Sequence, residues 1–237
     1  MELKLSYKHR DEWEDRRDNL GGFGPKWECN WLGTLEMNGQ ATITNYLAGG
    51  GQAVFDVSGV TPEHRSGRRM GSFAHNAGGS SLLANSGTLA INSPTGSQNQ
   101  YGTLWTSPQG RQFAMLDQRL DRYGRSTKYE WETSGGGGGE TARLKRLVNR
   151  DGRSCTLGYT NASFPRLITS VTDPYGRSAY FGYDVTGALI SITDMAGMTS
   201  SFTYGTTQTN VITQLQTPYG TTSFNYFDAT NTPLVGW

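Results

Sequence analysis

The sequence predicts an all-β protein, a partly open, spiral or solenoid-like sheet of stacked β-hairpins with an N-terminal β capping region. Three observations lead to this fold class. Glycine-containing turn sequences recur through the second half of the chain, apolar and polar residues alternate after each turn, and helical periodicity is absent there. Glycine accounts for 32 of 237 residues, about twice the usual ~7%, so many tight turns are expected.

The composition indicates a folded chain without a membrane span. Hydrophobic residues make up 35% and aromatic residues 11%, and the formal net charge is +1, whereas disordered chains combine few aromatics with high net charge. No apolar run approaches the ~20 residues that cross a bilayer. The first residues, MELKLSYKHRDEWEDRRDN, are charged where a signal peptide needs an apolar core, so we expect no signal peptide in this chain.

A repeat unit recurs along the chain. The stretch VTDPYGRSAYFGYD at 171–184 has counterparts at 119–131, 146–159, 192–205 and 215–228. The glycines that these units share are separated by 28, 24, 21 and 23 residues, and they are Gly124, Gly152, Gly176, Gly197 and Gly220. A period of ~20–25 residues is typical of stacked supersecondary units.

Each unit reads as a hairpin that leads into the next hairpin. Asp-Pro-Tyr-Gly at 173–176 is a turn sequence, in which Pro fixes φ and Gly permits a positive φ. Beyond it, Ala179, Phe181 and Tyr183 fall on one face of a strand. Asp184 then opens a second turn. Tyrosines that end strands are predicted to form a ladder in the core: Tyr183, Tyr204 and Tyr226.

The pattern Tyr-Asp-x-x-Gly-x-Leu-x-x-Ile-Thr-Asp-x-x-Gly at 183–197 resembles the YD repeat of Rhs proteins, teneurins and the cocoon-forming subunits of bacterial toxin complexes. The resemblance also covers 119–159 and 211–228, and GGFGPKWECNW at 21–31 resembles the region that commonly precedes Rhs repeats. It implies a spiral sheet of hairpins, which in full-length relatives forms a hollow shell around a toxin or other cargo. It also implies a secreted or cell-surface location.

The chain departs from the family in two respects. Only about five units are present, which we expect to be too few to close a shell, and no segment resembles the family's aspartyl self-cleavage core. The chain is therefore either part of a longer protein or a short relative, and both alternatives stay open. The expected partner is the remainder of a longer Rhs-type chain or a second copy, because an open sheet edge needs a cover.

Three zones are predicted along the chain. Residues 1–60 form an N-terminal Rhs-like β region that acts as a cap, with a hairpin around Gly49-Gly50-Gly51. Residues 61–118 form a Gly/Ser/Asn-rich β and loop region with a degenerate repeat, and residues 119–237 form the hairpin array. A glycine-rich excursion interrupts the array at 134–140, where poly-Gly provides no side chains to pack. It lacks the Lys-Ser/Thr that closes a phosphate loop.

No cofactor or metal is expected. His9, His64 and His75 are scattered without metal-ligand spacing, and no GxSxG sequence marks a serine nucleophile. Cys29 and Cys155 are expected to be reduced and packed, although one long-range disulfide stays open as an alternative.

Two groups of charged residues raise functional alternatives. Glu130 and Glu132 fall on the same side of a strand, about 6.5 Å apart, a separation compatible with a glycosidase carboxylate pair. The alternative is a solvated strand face with cations nearby. The basic stretch at 143–153 has few interleaved aromatics, and the chain is nearly neutral overall, so nucleic-acid binding is not expected.

The tyrosines beside turn glycines are predicted to be exposed, and they are Tyr123, Tyr175 and Tyr219. Exposed rings at repeat spacing on a Thr/Ser-rich surface could bind polysaccharide, whereas packing between neighbouring units is the structural alternative. The favoured function is a non-catalytic repeat scaffold. A carbohydrate-binding module that uses these tyrosines is second, and a glycan-active enzyme with Glu130 and Glu132 is third.

Overall fold

The computed structural model describes residues 1–8, 20–38, 42–48, 51–56, 71–75, 81–85, 88–134, 141–205 and 211–226, which contain strands and no helix. The strands are β1 (Leu5–Tyr7), β2 (Trp27–Cys29), β3 (Thr34–Asn38), β4 (Thr42–Tyr46), β5 (Gln52–Asp56), β6 (Gly71–His75), β7 (Ser81–Asn85), β8 (Thr88–Asn92), β9 (Gln98–Thr106), β10 (Gln112–Leu120), β11 (Ser126–Ser134), β12 (Thr141–Asn149), β13 (Ser154–Gly158), β14 (Ser170–Thr172), β15 (Ser178–Tyr183), β16 (Leu189–Thr193), β17 (Thr199–Tyr204), β18 (Ile212–Thr217) and β19 (Gly220–Ser223).

The sheet branches at β10. Strands β1 and β2 form a separate two-stranded ribbon, and β3 to β19 belong to one antiparallel sheet. One edge of β10 pairs with β9, while the other edge pairs with β3 through residues 112–115 and with β11 through residues 118–120. Bulges on either side of Leu116 separate these two halves of β10. A bulge bends a strand and increases its twist, which lets one strand edge serve two neighbours.

Strands β11 to β19 pair in chain order, each antiparallel to the next. The registers end at β19, and among the described strands no register joins β19 to β3, so the sheet is not closed into a barrel. The prediction of an all-β, partly open sheet of stacked hairpins is therefore confirmed.

The glycine-marked turns share one backbone geometry, shown by residues 173–177. The Asp173 N–H donates to the Arg177 carbonyl at 2.8 Å, and the Gly176 N–H donates to the Asp173 carbonyl at 3.1 Å. Gly176 has a φ of +79°, a left-handed conformation that costs a side-chain-bearing residue about 1–2 kcal/mol. Gly124, Gly152 and Gly197 occupy the same place with φ between +75° and +83°.

The turn at Gly220 is tighter than the others. Gly220 pairs directly with Thr217, so only Pro218 and Tyr219 connect β18 to β19. Its φ of +151° also differs from the values of the other shared glycines. The repeats were aligned in the sequence by their shared glycines, and that alignment therefore groups this two-residue hairpin turn with turns that are longer.

The inner face of the array, defined as the side that carries the buried side chains, contains most of the core. Neighbouring strands contribute Leu147, Leu157, Val171, Phe181 and Leu189, all buried in one cluster. The strand alternation seen in the sequence places them there, since side chains two residues apart point to the same side of a strand. The opposite side is called the outer face.

The N-terminal residues lie across this inner face. Leu20 bridges Ala142 and Gly22 bridges Leu167 in parallel orientation. Phe23 meets Phe181 edge to face, with ring centroids 4.8 Å apart. The described part of the N-terminal capping region thus covers the inner face of the array, while β3 adds to the sheet at β10.

The ribbon of β1 and β2 continues this cover toward the last strands. The Trp27 ring packs edge to face on Phe202, with centroids 4.9 Å apart, and its Nε1–H donates to the Tyr204 hydroxyl at 3.0 Å. The Ile212 N–H donates to the Tyr7 hydroxyl at 3.1 Å. Residues that are about two hundred positions apart in the chain are therefore direct neighbours.

The remaining sequence predictions concern segments between strands. Strands β4 and β5 pair from Thr42 with Asp56 to Tyr46 with Gln52, which is the hairpin predicted around Gly49-Gly50-Gly51. Residues 135–140 of the glycine-rich excursion lie outside the described residues. The predicted limits of the three zones stay predictions.

Candidate functional site

Alternate turns of the array lie at one edge of the sheet, because each antiparallel strand reverses direction. We call this the turn edge, and it consists of residues 93–97, 121–125, 149–153, 173–177, 194–198 and 217–220. Contacts between successive turns show their adjacency. The Arg153 Nη1 donates to the Tyr175 hydroxyl at 2.9 Å, and the Tyr219 hydroxyl donates to the Met198 sulfur at 3.4 Å.

The first side chain of each turn holds the turn backbone. Asp173 Oδ1 accepts from the Tyr175 N–H at 2.8 Å and from the Arg177 N–H at 3.0 Å, and its Oδ2 pairs with the Arg177 guanidinium at 2.6 Å. Burial alone would raise the pKa of Asp173, but the hydrogen bonds and the charge of Arg177 lower it below its ordinary value. The same role falls to Asp121, Asn149, Asp194 and, through its hydroxyl, Thr217.

Tyr123, Tyr175 and Tyr219 are exposed at the turn edge. Their exposed fractions are 67%, 68% and 86%, and each is the third residue of its turn. Two neighbours in this series are separated by four strand positions, which corresponds to about 19 Å at ~4.8 Å a strand. The structure therefore places the three predicted ligand-binding tyrosines in one row on one edge.

Arginine side chains surround two of these rings. The guanidinium carbons of Arg122 and Arg125 lie 4.7 and 5.5 Å from the centroid of the Tyr123 ring. Those of Arg153 and Arg177 lie 5.8 and 5.5 Å from the Tyr175 ring. Within ~6 Å a cation is attracted to an aromatic face, so each of these arginines helps to orient the ring beside it.

The outer face next to the turn edge carries hydroxyl groups from β13 onward. The Thr172 and Ser178 hydroxyls are 2.8 Å apart across one strand pair, and the Thr193 and Thr199 hydroxyls are 2.8 Å apart across another. The register aligns Thr156 with Thr172. This surface offers both donors and acceptors and no charge, which suits hydrogen bonding to a polar, uncharged ligand.

The strand-ending tyrosines form a hydrogen-bonded ladder on the inner face. The Tyr183 hydroxyl donates to the Ile168 carbonyl at 2.6 Å, and the Tyr204 hydroxyl donates to the Leu189 carbonyl at 2.6 Å. Tyr226 lies three residues beyond the end of β19 and is 37% exposed, so it neither ends a strand nor belongs to the core as predicted. Its hydroxyl nevertheless donates to the Ile212 carbonyl at 2.8 Å. Burial raises the pKa of Tyr204 to about 12, an effect that its hydrogen bond from Trp27 partly offsets.

Two further members of the ladder were missed in the sequence. The Tyr159 hydroxyl donates to the Leu144 carbonyl at 2.9 Å, and Trp131 Nε1 donates to the Leu116 carbonyl at 2.8 Å. Each donor lies 15 residues after its acceptor, as in the Tyr183 pair. That constant separation, together with the aromatic residue at the end of each unit, is the signal that could have identified them.

Asp184 belongs to a turn at the opposite edge, between β15 and β16. Its Oδ1 accepts from the N–H groups of Thr186 and Ala188 at 2.8 and 3.0 Å and from the Thr186 hydroxyl at 2.7 Å. The Tyr183-Asp184 pair thus joins a ladder tyrosine to a turn-closing carboxylate.

Glu130 and Glu132 are ion-paired on the sheet surface. Glu130 Oε2 meets Arg146 Nε at 2.7 Å, and Glu132 Oε1 meets Arg143 Nη2 at 2.7 Å. The hydrogen bond from Arg146, opposed by desolvation, lowers the pKa of Glu130. A general acid needs a raised pKa, so this shift runs in the wrong direction for one member of a glycosidase pair.

The two cysteines are buried and unbridged. Burial raises the pKa of the Cys155 thiol, which disfavours the reactive thiolate. Among the described side chains, no three metal-ligating groups cluster. His9 and His64 lie outside those residues. The described segments include no helix with the length and apolarity of a membrane span.

The chain has distant likenesses among solved structures, and two of them follow. No family model and no curated protein matches the chain. It is similar to part of a structure described as the crystal structure of TcdB2-TccC3-Cdc42, with a TM-score of 0.45 and 11% identity over 81% of this chain. The chain spans 14% of that protein chain.

The second likeness is to the N-terminal domain of the effector protein SpvB from Salmonella typhimurium strain LT2. The TM-score is 0.42 and the identity is 11%, over 96% of this chain and 94% of that one. No function is carried over from either structure.

Proposed function

We propose that the chain is a non-catalytic β scaffold of the Rhs/YD-repeat type, which holds polypeptide against the inner face of its sheet. The observation that carries this proposal is the position of residues 20–32 of the same chain on that face. Phe23, Cys29, Trp31 and Leu32 are all buried in one cluster, which side chains of the array share with side chains of β3 to β10. Burying a large apolar side chain contributes about 1.5–3 kcal/mol, so the segment is firmly held.

Backbone hydrogen bonds support the same role. The Gly21 N–H donates to the Ala142 carbonyl at 2.8 Å, and the Ile168 N–H donates to the Gly22 carbonyl at 2.9 Å. Gly24 approaches so closely that an added Cβ would lie 2.6 Å from the Gly187 carbonyl oxygen. Such contacts fix the path of an extended segment rather than merely covering apolar surface.

The wider biological setting belongs to the proposal. The YD-repeat resemblance favours a toxin-associated scaffold that is secreted or placed at the cell surface. Its partner is either the remainder of a longer Rhs-type chain or a second copy, paired with the edge of β19. Sedimentation velocity over a concentration series tests self-association through this edge, because the average molecular mass of a self-associating protein rises with its concentration.

Protection of the Cys29 thiol tests the scaffold role. In a Cys155→Ala background, Cys29 should react with a thiol reagent only as fast as the protein unfolds, because its side chain is 1% exposed and lies in one buried cluster with array residues such as Leu147 and Phe181. Phe181→Ala should accelerate the reaction, because Phe181 packs on Phe23, and both rings belong to the buried cluster that contains Cys29. Tyr180→Ala, on the exposed side of the same strand, is the matched control and should leave the rate unchanged. Reaction of Cys29 at the rate of a free thiol in native buffer would contradict the proposal.

Carbohydrate binding at the turn edge is the second candidate function. It is favoured by the exposure of Tyr123, Tyr175 and Tyr219 in one row beside the hydroxyl-bearing outer face. Retention on insoluble polysaccharide, lost in Tyr175→Ala and Tyr219→Ala, would support it. Equal retention of these variants and the parent protein would refute it.

A further inference from the structure

We propose that the turn edge binds a linear acidic polysaccharide that carries about one carboxylate for each disaccharide. The rings of Tyr123 and Tyr175 stack on sugar rings, and guanidinium groups of neighbouring turns pair with the carboxylates. This inference rests on the second candidate function and adds to it the charge of the ligand and the cations that recognise it.

The tyrosine rings are held in place and still leave surface for a ligand. Two guanidinium groups lie within 6 Å of each ring, at 4.7 and 5.5 Å for Tyr123 and at 5.8 and 5.5 Å for Tyr175. Arg153 also donates a hydrogen bond to the Tyr175 hydroxyl. A ring oriented beforehand loses little conformational entropy when it binds, and about two thirds of each tyrosine stays exposed.

The charge of the turn edge is positive and sparse. Turns 121–125, 149–153 and 173–177 contain five arginines and three aspartates, a balance of 5 − 3 = +2. Asp121 and Asp173 form ion pairs with the arginines of their own turns. Beyond those pairs the three turns keep Arg122, Arg150 and Arg153 together with Asp151, which gives the balance of 3 − 1 = +2.

The spacing of these cations decides which polyanion fits. Neighbouring turns are two strands apart, or about 9.6 Å at ~4.8 Å a strand, which is similar to the length of one disaccharide. Duplex DNA instead presents one charge for every ~1.7 Å of its axis, far more anions than this edge can neutralise. A polymer with widely spaced carboxylates matches both the charge and its spacing.

The last two turns of the edge continue the surface without a cation, and Asp194 is the one charged residue in them. Met195 and Met198 take the places that arginines occupy in other turns, and Tyr219 contacts Met198. Here the edge offers stacking and apolar contact but no cation, so ionic recognition is confined to turns 121–125 and 149–153, where the three remaining arginines lie. Substitutions at arginines and at Tyr219 should therefore have different salt dependence.

Calorimetric titration of the full chain with defined hyaluronan oligosaccharides tests the proposal. The matched ligand is the same oligosaccharide with its carboxylates reduced to alcohols, and duplex DNA is the competing polyanion. Tyr175→Ala should raise the Kd for hyaluronan about fivefold, and Arg153→Gln should raise it about threefold. Two control variants should leave the Kd for hyaluronan unchanged. They are Val185→Ala, at an exposed turn of the opposite edge, and Lys145→Gln, at an exposed cation on β12.

The outcomes separate this inference from carbohydrate binding itself. Binding of hyaluronan but not of its reduced form, weakened by salt, supports the inference. Equal binding of both forms overturns it while carbohydrate binding stands, and binding of neither overturns it while retention on insoluble polysaccharide decides whether carbohydrate binding stands. Equal or tighter binding of DNA overturns the choice of polysaccharide, and an Arg153→Gln variant that behaves like Lys145→Gln overturns the assigned cation.

Discussion

Removing one hydroxyl from the tyrosine ladder should destabilise the whole protein. In Tyr183→Phe, the Ile168 carbonyl loses the donor that lies 2.6 Å away, in a part of the core where the Ile168 side chain is fully buried. A buried acceptor left without its partner costs about 1–3 kcal/mol, and we expect a loss of about 2 kcal/mol because the ring itself still packs. For a chain of this size each kcal/mol lowers Tm by about 2–4 °C.

Urea denaturation followed by tryptophan fluorescence measures this loss. The free energy of unfolding comes from the midpoint and the slope, and the slope should not change, because the substitution leaves the folded surface as it was. Tyr180→Phe is the matched control, since Tyr180 lies on the same strand with 57% of its surface exposed and should lose less than about 0.5 kcal/mol. Equal effects of the two substitutions would refute the ladder as a source of stability.

Three further predictions concern the glycines, the N-terminal contact and pH. Gly176 has a φ of +79°, and an added Cβ would meet open space, so Gly176→Ala should lower the free energy of unfolding by about 1–2 kcal/mol. In Gly24→Ala the added Cβ also meets a carbonyl oxygen at 2.6 Å, so the loss should be about 2–4 kcal/mol. Equal losses of the two variants in urea titrations would contradict this. A double-mutant cycle of Phe23→Leu and Phe181→Leu should give a coupling of about 0.5–1.5 kcal/mol, and additive losses would show that the rings do not interact. Burial raises the pKa of Tyr204 to about 12 from an unfolded value of about 10, so the unfolded state loses this proton first. The contribution of Tyr204 to the free energy of unfolding should therefore be constant below pH 10 and be lost between pH 10 and 12. A profile in urea titrations that is flat between pH 10 and 12 would contradict it.

Local sequence signals predicted the repeating part of the fold because the contacts that create it are local. The turn at 173–177 needs an acceptor side chain at its first position and a positive φ at Gly176, and both requirements are visible within five residues. Alternation of apolar residues then assigns Phe181 to the inner face. The exposure of Tyr175 follows from the same reasoning, because the third residue of such a turn points away from both strands.

Cross-strand partners were not visible in the sequence. Glu130 and Glu132 share a strand face, as their spacing indicated, yet their partners Arg146 and Arg143 depend on the register of β11 with β12 and on the bulge between Glu130 and Trp131. No feature identified in the sequence indicated that bulge. The carboxylate pair of the sequence hypothesis is therefore two ion pairs in the structure.

By itself, the sequence determined the all-β class, the positions of the glycine-marked turns and the face to which each strand residue belongs. These properties depend on backbone conformation and on neighbours within a few residues. Tertiary structure alone decided that the N-terminal segment lies on the inner face, where Trp27 meets Tyr204 across 177 residues of chain, and that the turn tyrosines share one edge with arginines. Contacts between distant segments form only when apolar surface is buried collectively, and no local pattern encodes which surfaces meet.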